Sequence, residues 1–458
     1  MQKNGSVSMH ALWAIALPIA LQNLVTVSLN FIDGVMIGSL GDTAISGVYM
    51  AGQVQMLLQV ILGSIEGVVL MLCAQHWGHG GTERVRSLSM LGAVCSLGLG
   101  AAVTLLCVLA PSAVLSFFSG EAAVVETGVA YLRVLCLSFP LFCLSHALIA
   151  SMRAVGSARI GLYASAAALV VNLGLNAVLI HGGLGLPALG IQGAAIATLV
   201  SRAVECGIML LYVLVWDKKL VLRPKDVRCM TRADVHDGVR YGAPVFAGQL
   251  IWGVNLLVGT AILGHFDTAV TAAVGIANTA NHICYVCISG VASAVSILTG
   301  MTIGAGDEAR VHRFSASVLR LSVVLGVVTA LSLFLLRRPL IALYGVSGQT
   351  AELSLRLLAV LAVTVAFTSY QSISCFGLLR GAGAVDFLCL LDAVMVLVIV
   401  LPGAAVAYRL GASAVTVFAC LKADQVLKCP IIAYKLRRGA WVSDLTRARP
   451  RMRRAPSV

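Results

Sequence analysis

Long apolar segments, separated by short breaks of glycine or charged residues, follow one another through almost the whole chain. Each segment is long enough for an α-helix to cross the hydrocarbon of a membrane, which takes about 20 residues. A transmembrane β-barrel would instead show alternating polarity over strands of about ten residues. The pattern predicts about twelve membrane helices, at residues 11–37, 44–74, 88–110, 126–151, 160–181, 189–216, 240–264, 270–300, 315–336, 353–379, 386–408 and 411–434.

The composition agrees with this prediction. Of the 458 residues, 59% are hydrophobic and 11% are charged, whereas a soluble domain carries about 25% charged residues. The composition therefore excludes an ordinary soluble protein. The predicted fold class is an all-α polytopic membrane protein whose surroundings are the lipid bilayer.

The net charge of +13 is spread unevenly along the chain. Basic residues concentrate in alternate loops and in the tail, and the intervening loops carry few, namely Arg337, Arg338 and Arg409. Because cytoplasmic loops carry the excess of Lys and Arg, we expect a multi-pass protein of the plasma (inner) membrane with both termini in the cytoplasm. This placement does not indicate nucleic-acid binding; the tail is interpreted as a strip near anionic lipid headgroups.

The second half of the chain repeats features of the first at an offset of 226 residues. Breaks in the apolar pattern correspond, as in the pairs Pro18 and Pro244, Gly38 and Gly264, and Gly78 and Gly304. The repeat predicts two pseudo-symmetric six-helix lobes, at residues 1–216 and 240–437, with a basic cytoplasmic linker at 217–239 and a basic cytoplasmic tail at 438–458. Two such halves can rock around a shared cavity, which is the geometry of alternating access.

Two acids lie inside predicted membrane helices. An ionised side chain there costs roughly 2.5–3.5 kcal/mol on insertion scales, so Asp33 and Glu66 indicate function more strongly than packing. A carboxyl group held away from water could exchange a proton near neutral pH. If it stays charged, it could bind Na⁺ together with nearby carbonyl and amide oxygens. Asp33 is therefore a candidate site for a coupling ion, with no other metal expected.

Neutral polar side chains also recur at helical spacing. Asn172 and Asn176 form an i,i+4 pair in the fifth predicted helix. Residues that share helix faces elsewhere are candidates for lining a substrate cavity: Gln55, Gln59, Asn278, His282, Tyr285 and Gln371. The alternative for each is a hydrogen bond that only fixes helix packing.

Several of these segments resemble one family of transporters. ALPIALQNLVTVSLNFIDGVMIGSLG (16–41), AQHWG (74–78), RAVG (153–156) and VNLGLNAVLIHGGLGLPALGIQGAAIAT (171–198) are similar to the multidrug and toxic compound extrusion (MATE) family. The resemblance covers about residues 10–437. It implies two six-helix lobes around a central cavity, and multidrug efflux of small organic, often cationic compounds by antiport against Na⁺ or H⁺. It implies neither an enzyme nor a cofactor, and no obligate protein partner.

The resemblance also implies an ion site. In the family, an acid in the first helix, an Asn in the fifth, an acid one turn later and a Thr in the sixth gather around the coupling ion. Asp33, Asn172, Asn176 and Thr198 occupy the matching positions, and Asn176 departs from the pattern of two acids. Because the tenth helix offers no acid, we expect coupling in the first lobe. Whether Glu66 replaces the missing acid is a separate hypothesis, based on the face it shares with the two glutamines of its helix.

Two alternatives remain open at this stage. A flippase or exporter of a lipid-linked saccharide would require a strongly cationic cavity in the first lobe, and the predicted helices show no cluster of Lys or Arg of that kind. An intramembrane lipid-modifying enzyme would require paired acids or His ligands at fixed spacing. The sequence does not name the substrate, distinguish Na⁺ from H⁺, or give the oligomeric state.

Overall fold

The computed structural model describes residues 9–38, 40, 42–118, 121–183, 185, 187–344, 346, 348–439 and 441–446. Residues 1–8 of the predicted first lobe and 447–458 of the predicted tail lie outside the described residues. Twelve long helices account for most of the described chain, and it contains no β-strand. The first six are α1 (Met9–Gly38), α2 (Asp42–His79), α3 (Thr82–Leu109), α4 (Ala122–Ala154), α5 (Arg159–Leu179) and α6 (Gly190–Trp216).

The second six helices follow a short 3₁₀ helix at Pro224–Cys229. They are α7 (Arg232–Gly264), α8 (Thr268–Gly304), α9 (Glu308–Leu343), α10 (Gly348–Leu379), α11 (Val385–Arg409) and α12 (Ala414–Arg437). Two of them contain π-helical segments, Ile373–Leu379 in α10 and Val394–Val400 in α11. The prediction of an all-α polytopic membrane protein with about twelve spans is confirmed.

Eleven of the twelve helices in the described chain are long and apolar enough to cross a membrane. The exception, α12, carries Lys422, Asp424 and Lys428 near its middle. Its length is still that of a membrane span, about 36 Å at 1.5 Å per residue. Because an exposed charge would be costly there, these side chains must face other helices.

The helices extend further into the loops than predicted. The clearest correction is at α7, which begins at Arg232, so that the linker predicted at 217–239 ends eight residues early. A capping box explains this start: the Thr231 hydroxyl accepts a hydrogen bond from the Asp234 amide, and the Asp234 carboxylate accepts one from the Thr231 amide. The Asp234 carboxylate also pairs with Arg84 at 2.8 Å, which ties this polar turn to α3.

The helices pack as two groups of six. In the first, α5 packs on α1 and α6, and α3 on α4; in the second, α10 packs on α9 and α12, and α11 on α12. The groups join where α1 and α2 pack against α8, and where α2 and α3 pack against α7. Contacts between the groups include the hydrogen bond from Asn23 to Ser289 (3.1 Å). At one end of the bundle, Arg84 of α3 bonds to Asp237 of α7. We call the end of the bundle that holds Arg84 and the last turns of α2 and α8 the basic end.

At the basic end, α2 and α8 meet in a reciprocal contact. A Cβ atom on Gly78 would lie 2.0 Å from the Met301 carbonyl oxygen, and one on Gly304 would lie 1.8 Å from the Gln75 carbonyl oxygen. Met301 and Gly304 are the residues that follow Gln75 and Gly78 by 226 positions. The same contact is therefore made twice, once in each direction, as a two-fold relation between the lobes requires.

The chain beyond α12 reinforces this closed end. Trp441 is 2% exposed and packs in the core of the second lobe, while Leu445 packs against the first. The Gln75 side chain donates to the Gly381 carbonyl at 2.8 Å and accepts from the Leu445 amide at 2.9 Å. Residues 441–446 thus fasten both lobes together at the basic end.

Candidate functional site

Asp33 lies on α1, facing α5. The Asn176 side-chain amide donates to the Asp33 carboxylate at 2.5 Å and to the Asn172 side-chain oxygen at 3.0 Å. Both asparagines are completely buried. The i,i+4 spacing that predicted a shared face therefore brings all three predicted residues together.

Two polar atoms of this group are left over. The Asn176 side-chain oxygen and the Asn172 side-chain nitrogen are buried and have no hydrogen-bond partner. An unpaired buried acceptor is unusual, since burial without a partner costs about 1–3 kcal/mol. An amide oxygen beside a carboxylate is the type of donor set that Na⁺ takes. The residues present therefore fit a small cation.

Thr198, the fourth residue of the predicted ion site, lies on α6 and is 4% exposed. Its hydroxyl donates to the Ala194 carbonyl within the helix at 3.0 Å. Tyr131 of α4 lies close to Thr198 and close enough to Asp33 for an electrostatic interaction. The structure thus places Thr198 beside the group without direct contact to Asp33.

The first lobe holds a second buried acid that the sequence did not single out. Glu205 is 1% exposed, accepts a hydrogen bond from the Ser165 hydroxyl at 2.7 Å, and pairs with Arg202 at 2.9 Å. Arg202 also lies within electrostatic reach of Asp33. The signal that would have found this pair is the i,i+3 spacing of opposite charges inside an apolar helix.

The same network continues toward the basic end. The Gln22 side chain donates to the Ser165 hydroxyl at 3.1 Å and accepts from the Arg153 guanidinium at 2.7 Å. Arg153 lies in the last turn of α4, and its guanidinium reaches Gln22 inside the lobe. Arg153 and Arg202 therefore each already have a side-chain partner, although the Arg153 Nε and the Arg202 Nε and Nη2 atoms have no hydrogen-bond partner.

Glu66 does not join the Asp33 group. Its carboxylate bonds to the His146 ring at 2.8 Å, and that ring packs on Phe142 at 4.3 Å between centroids. At 1.5 Å per residue, Glu66 lies about 20 Å from the end of α2 at the basic end, and Asp33 lies about 36 Å from the start of α1 there. This placement speaks against the hypothesis that Glu66 replaces the acid missing at position 176.

A cavity of about 370 Å³ lies in the second lobe, between α7, α8, α10, α11 and α12. This is within the usual range for a site that takes a small molecule, about 300–1,000 Å³. Four residues predicted to line a substrate cavity do line it: Asn278, His282, Tyr285 and Gln371. Gln55 and Gln59 do not; they lie half-buried on α2 in the other lobe.

The walls of this cavity carry five charged residues, Arg380, Asp392, Lys422, Asp424 and Lys428. The Lys428 side chain is 4% exposed and bridges Asp392 at 2.7 Å and Asp424 at 3.1 Å. The predicted helices show no Lys or Arg cluster of the kind that a first-lobe flippase cavity would require. The charged cluster of the second lobe forms because α12 turns its polar face inward and because Arg380, which directly follows α10, lies at the cavity wall.

Part of this cluster was readable from the sequence. Asp424 and Lys428 stand at the i,i+4 spacing of a helical ion pair, inside a segment predicted to span the membrane. Their partner Asp392 is on another helix, and only the packing of α11 on α12 brings it to Lys428. Pairing across helices is set by tertiary packing, so no local pattern announces it.

Comparison with known proteins agrees with this architecture. The MatE family model matches the chain twice, over residues 18–178 and 244–406. The starts of the two matches are separated by the same 226 residues as the internal repeat. Each match covers the first five helices of one lobe, or nearly so, and leaves out its sixth helix, α6 or α12, as well as the linker.

The chain is similar over most of its length to proteins named probable multidrug resistance protein NorM. One from Thermotoga maritima is 25% identical over 81% of this chain and 79% of its own length. Another, from Streptococcus pneumoniae, is 26% identical over 74% and 75%. These relatives therefore align with residues of both lobes of this chain.

Solved structures share the fold. A MATE transporter in the bent conformation superposes with a TM-score of 0.84, 18% identity, and coverage of 94% of this chain and 96% of the other. An outward-facing MATE transporter gives the same TM-score, identity and coverage. The resemblance noted in the sequence is confirmed: the chain belongs to the MatE family of multidrug efflux transporters, multi-pass membrane proteins that carry substrates and are not enzymes.

Proposed function

We propose that the chain is a secondary active exporter that antiports small organic compounds against Na⁺ or H⁺ by alternating access. Asp33 is the coupling carboxylate in this proposal. The observation that carries it is the hydrogen bond from buried Asn176 to the Asp33 carboxylate (2.5 Å) beside the unpaired Asn176 oxygen. The acid, the amide donor and the unpaired acceptor form a group whose charge and hydrogen bonding change when a cation or a proton binds to it.

The ion acts by changing what Asp33 requires from its neighbours. A proton removes the negative charge, and a sodium ion compensates it with the help of the Asn176 oxygen. Either event weakens the attraction of Asp33 for Arg202, which remains paired with Glu205 at 2.9 Å. An ion can shift the lobes only if it binds one conformation better than the other. Asp33 provides this difference in affinity because its partners, Asn176 and Arg202, lie on two different helices, α5 and α6. Ion binding at Asp33 therefore changes how these helices are held in the first lobe.

The proposed orientation follows from the distribution of basic side chains. Arg84 and Arg310 lie at the basic end, where α2 and α8 close on each other. We place this end, and with it both termini, in the cytoplasm of the plasma (inner) membrane. The conformation described is then closed toward the cytoplasm, the state in which an ion from outside reaches Asp33 and substrate is released outward.

The first lobe offers little support for the flippase alternative. A pyrophosphate group needs free basic side chains, but Arg202 pairs with Glu205 and Arg153 donates to Gln22. Transport of a small organic substrate requires no such cluster. We therefore retain the exporter as the proposal.

Purified protein in sealed vesicles tests the proposal. The vesicles are loaded with a fluorescent organic dye, and a sodium gradient and a proton gradient are imposed separately. We expect dye movement under at least one gradient and none when the gradient is collapsed by an ionophore. Equal movement with and without a gradient would contradict ion-coupled export.

A further inference from the structure

The cavity of the second lobe carries an uncompensated positive charge. Three cations, Arg380, Lys422 and Lys428, face two carboxylates, Asp392 and Asp424. Lys428 is held by both carboxylates, so neither acid is free to neutralise a further cation fully. In surroundings of low polarity an unbalanced charge is costly unless a ligand balances it.

The five charged residues lie at successive depths along the cavity. Measured from the basic end at 1.5 Å per residue, Arg380 lies at the end of α10 and Asp392 about 10 Å into α11. Along α12, Lys428 lies about 14 Å, Asp424 about 20 Å and Lys422 about 22 Å from Arg437. The sign of the charge therefore alternates with distance from the basic end, beginning at Arg380, and Lys422 is the charge farthest from that end.

Lys422 has no carboxylate within ion-pair distance among the described residues, although it lies within electrostatic reach of Asp424. Its ammonium group lies 5.6 Å from the centre of the Phe418 ring. His282 of α8 is close enough for an electrostatic interaction with it. An ammonium group near an aromatic ring and an imidazole, on the wall of a cavity, has both the charge and the space to receive an anion.

We propose that Lys422 binds the carboxylate of an acidic or zwitterionic organic substrate in this cavity. One carboxylate brings the five wall charges to neutrality, with the ammonium group donating the charge-assisted hydrogen bonds. Tyr285, which is exposed on the cavity wall, supplies apolar surface for the rest of the molecule. The inference rests on the proposed export function and narrows its substrates: a purely cationic compound would meet repulsion at Lys422.

Equilibrium binding of a matched pair of dyes tests this subsite. The probes are a zwitterionic xanthene dye with a free carboxyl group and its ethyl ester, a cation of nearly the same shape. Binding to purified protein is followed by fluorescence polarisation without any ion gradient. The wild type should bind the free acid more tightly than the ester. Lys422→Gln should weaken binding of the acid by about tenfold, the size of one charge-assisted contact, and leave the ester unchanged or bound more tightly.

Lys225→Gln is the matched control, because Lys225 is an exposed linker residue far from the cavity. It should bind both dyes as the wild type does. Equal loss of both dyes in Lys422→Gln, or no preference for the acid in the wild type, would overturn the proposal. Acetate, a simple carboxylate, and chloride are added as competitors to separate recognition of the dye carboxylate from general anion binding. Displacement of the acid by chloride as readily as by acetate would also overturn the proposal. Because no gradient is used, failure here leaves ion-coupled export standing, and failure of dye export in vesicles leaves this binding result standing.

Discussion

At the scale of single residues, Asn176 is the side chain on which the first-lobe site depends. Its nitrogen serves Asp33 and Asn172, and its oxygen has no partner. One amide therefore both orients the carboxylate and offers a ligand. Glu205 and Arg202 form a buried ion pair in the same lobe, and Arg202 lies within electrostatic reach of Asp33.

Replacing Asn176 by Ala removes the hydrogen bond to Asp33 and the spare oxygen together. We expect the apparent affinity for the coupling ion to fall by about tenfold, since hydrogen bonds to charged groups contribute about 1.5–3 kcal/mol. The measurement is the rate of dye export in vesicles as a function of sodium concentration or of pH. Asn278→Ala, an equivalent change in the second-lobe cavity, should change the dependence on dye concentration instead. An unchanged ion dependence in Asn176→Ala would contradict this role.

Residue patterns predicted this site only in part. The i,i+4 pair of asparagines and the lone acid of α1 are local features, and the structure brings them together as expected. Glu66 shows the limit of such patterns, because a shared helix face does not say at which depth a side chain meets its neighbours. It contacts His146, eighty residues away, and that contact depends on how α4 packs on α2.

At the scale of helices, two glycines control how closely the lobes approach. Gly78 and Gly304 each lie against a carbonyl oxygen of the opposite helix. A side chain at either position would require the backbones of α2 and α8 to separate. The closed basic end therefore depends on the absence of two Cβ atoms.

Gly304→Ala should weaken this closure. A Cβ atom 1.8 Å from the Gln75 oxygen cannot be accommodated by a side-chain rotation, and overpacking typically costs about 1–3 kcal/mol. Thermal unfolding of purified protein should show a lower midpoint than the wild type. Gly275→Ala, on the same helix with nothing within 4 Å, is the control and should unfold at the wild-type midpoint or above it. Equal midpoints for the two variants would show that the contact does not hold the lobes together.

Helices were easier to predict than their faces. Apolar length located all twelve, because a membrane imposes the same span on each of them. The inward face of α12 was missed because its three charged residues stand within an otherwise apolar segment. In addition, Asp392 lies beside Lys428 only in the folded lobe. The early start of α7 was missed for a different reason: its first turns are polar, and a local capping box, not an apolar pattern, begins the helix.

At the scale of the whole molecule, the two sites lie in different lobes. The proposed ion site is built from α1, α4, α5 and α6, and the charged cavity from the helices of the second lobe. The lobes communicate where α1 and α2 pack on α8, from Asn23 and Ser289 down to Gly78 and Gly304. An ion at Asp33 can influence a substrate at Lys422 only by changing the contacts between the lobes, which are the two-state element that coupling requires.

The most direct test of the central claim is simultaneous measurement of ion entry and dye exit in vesicles that contain wild type, Asp33→Asn or Glu66→Gln. We expect the wild type to move the coupling ion only when dye is exchanged. Asp33→Asn keeps the hydrogen-bonding shape but cannot be charged, so it should lose the coupled ion flux, whereas Glu66→Gln should retain it. Coupled flux that survives in Asp33→Asn, or that is lost in Glu66→Gln alone, would contradict the assignment of the coupling carboxylate to Asp33.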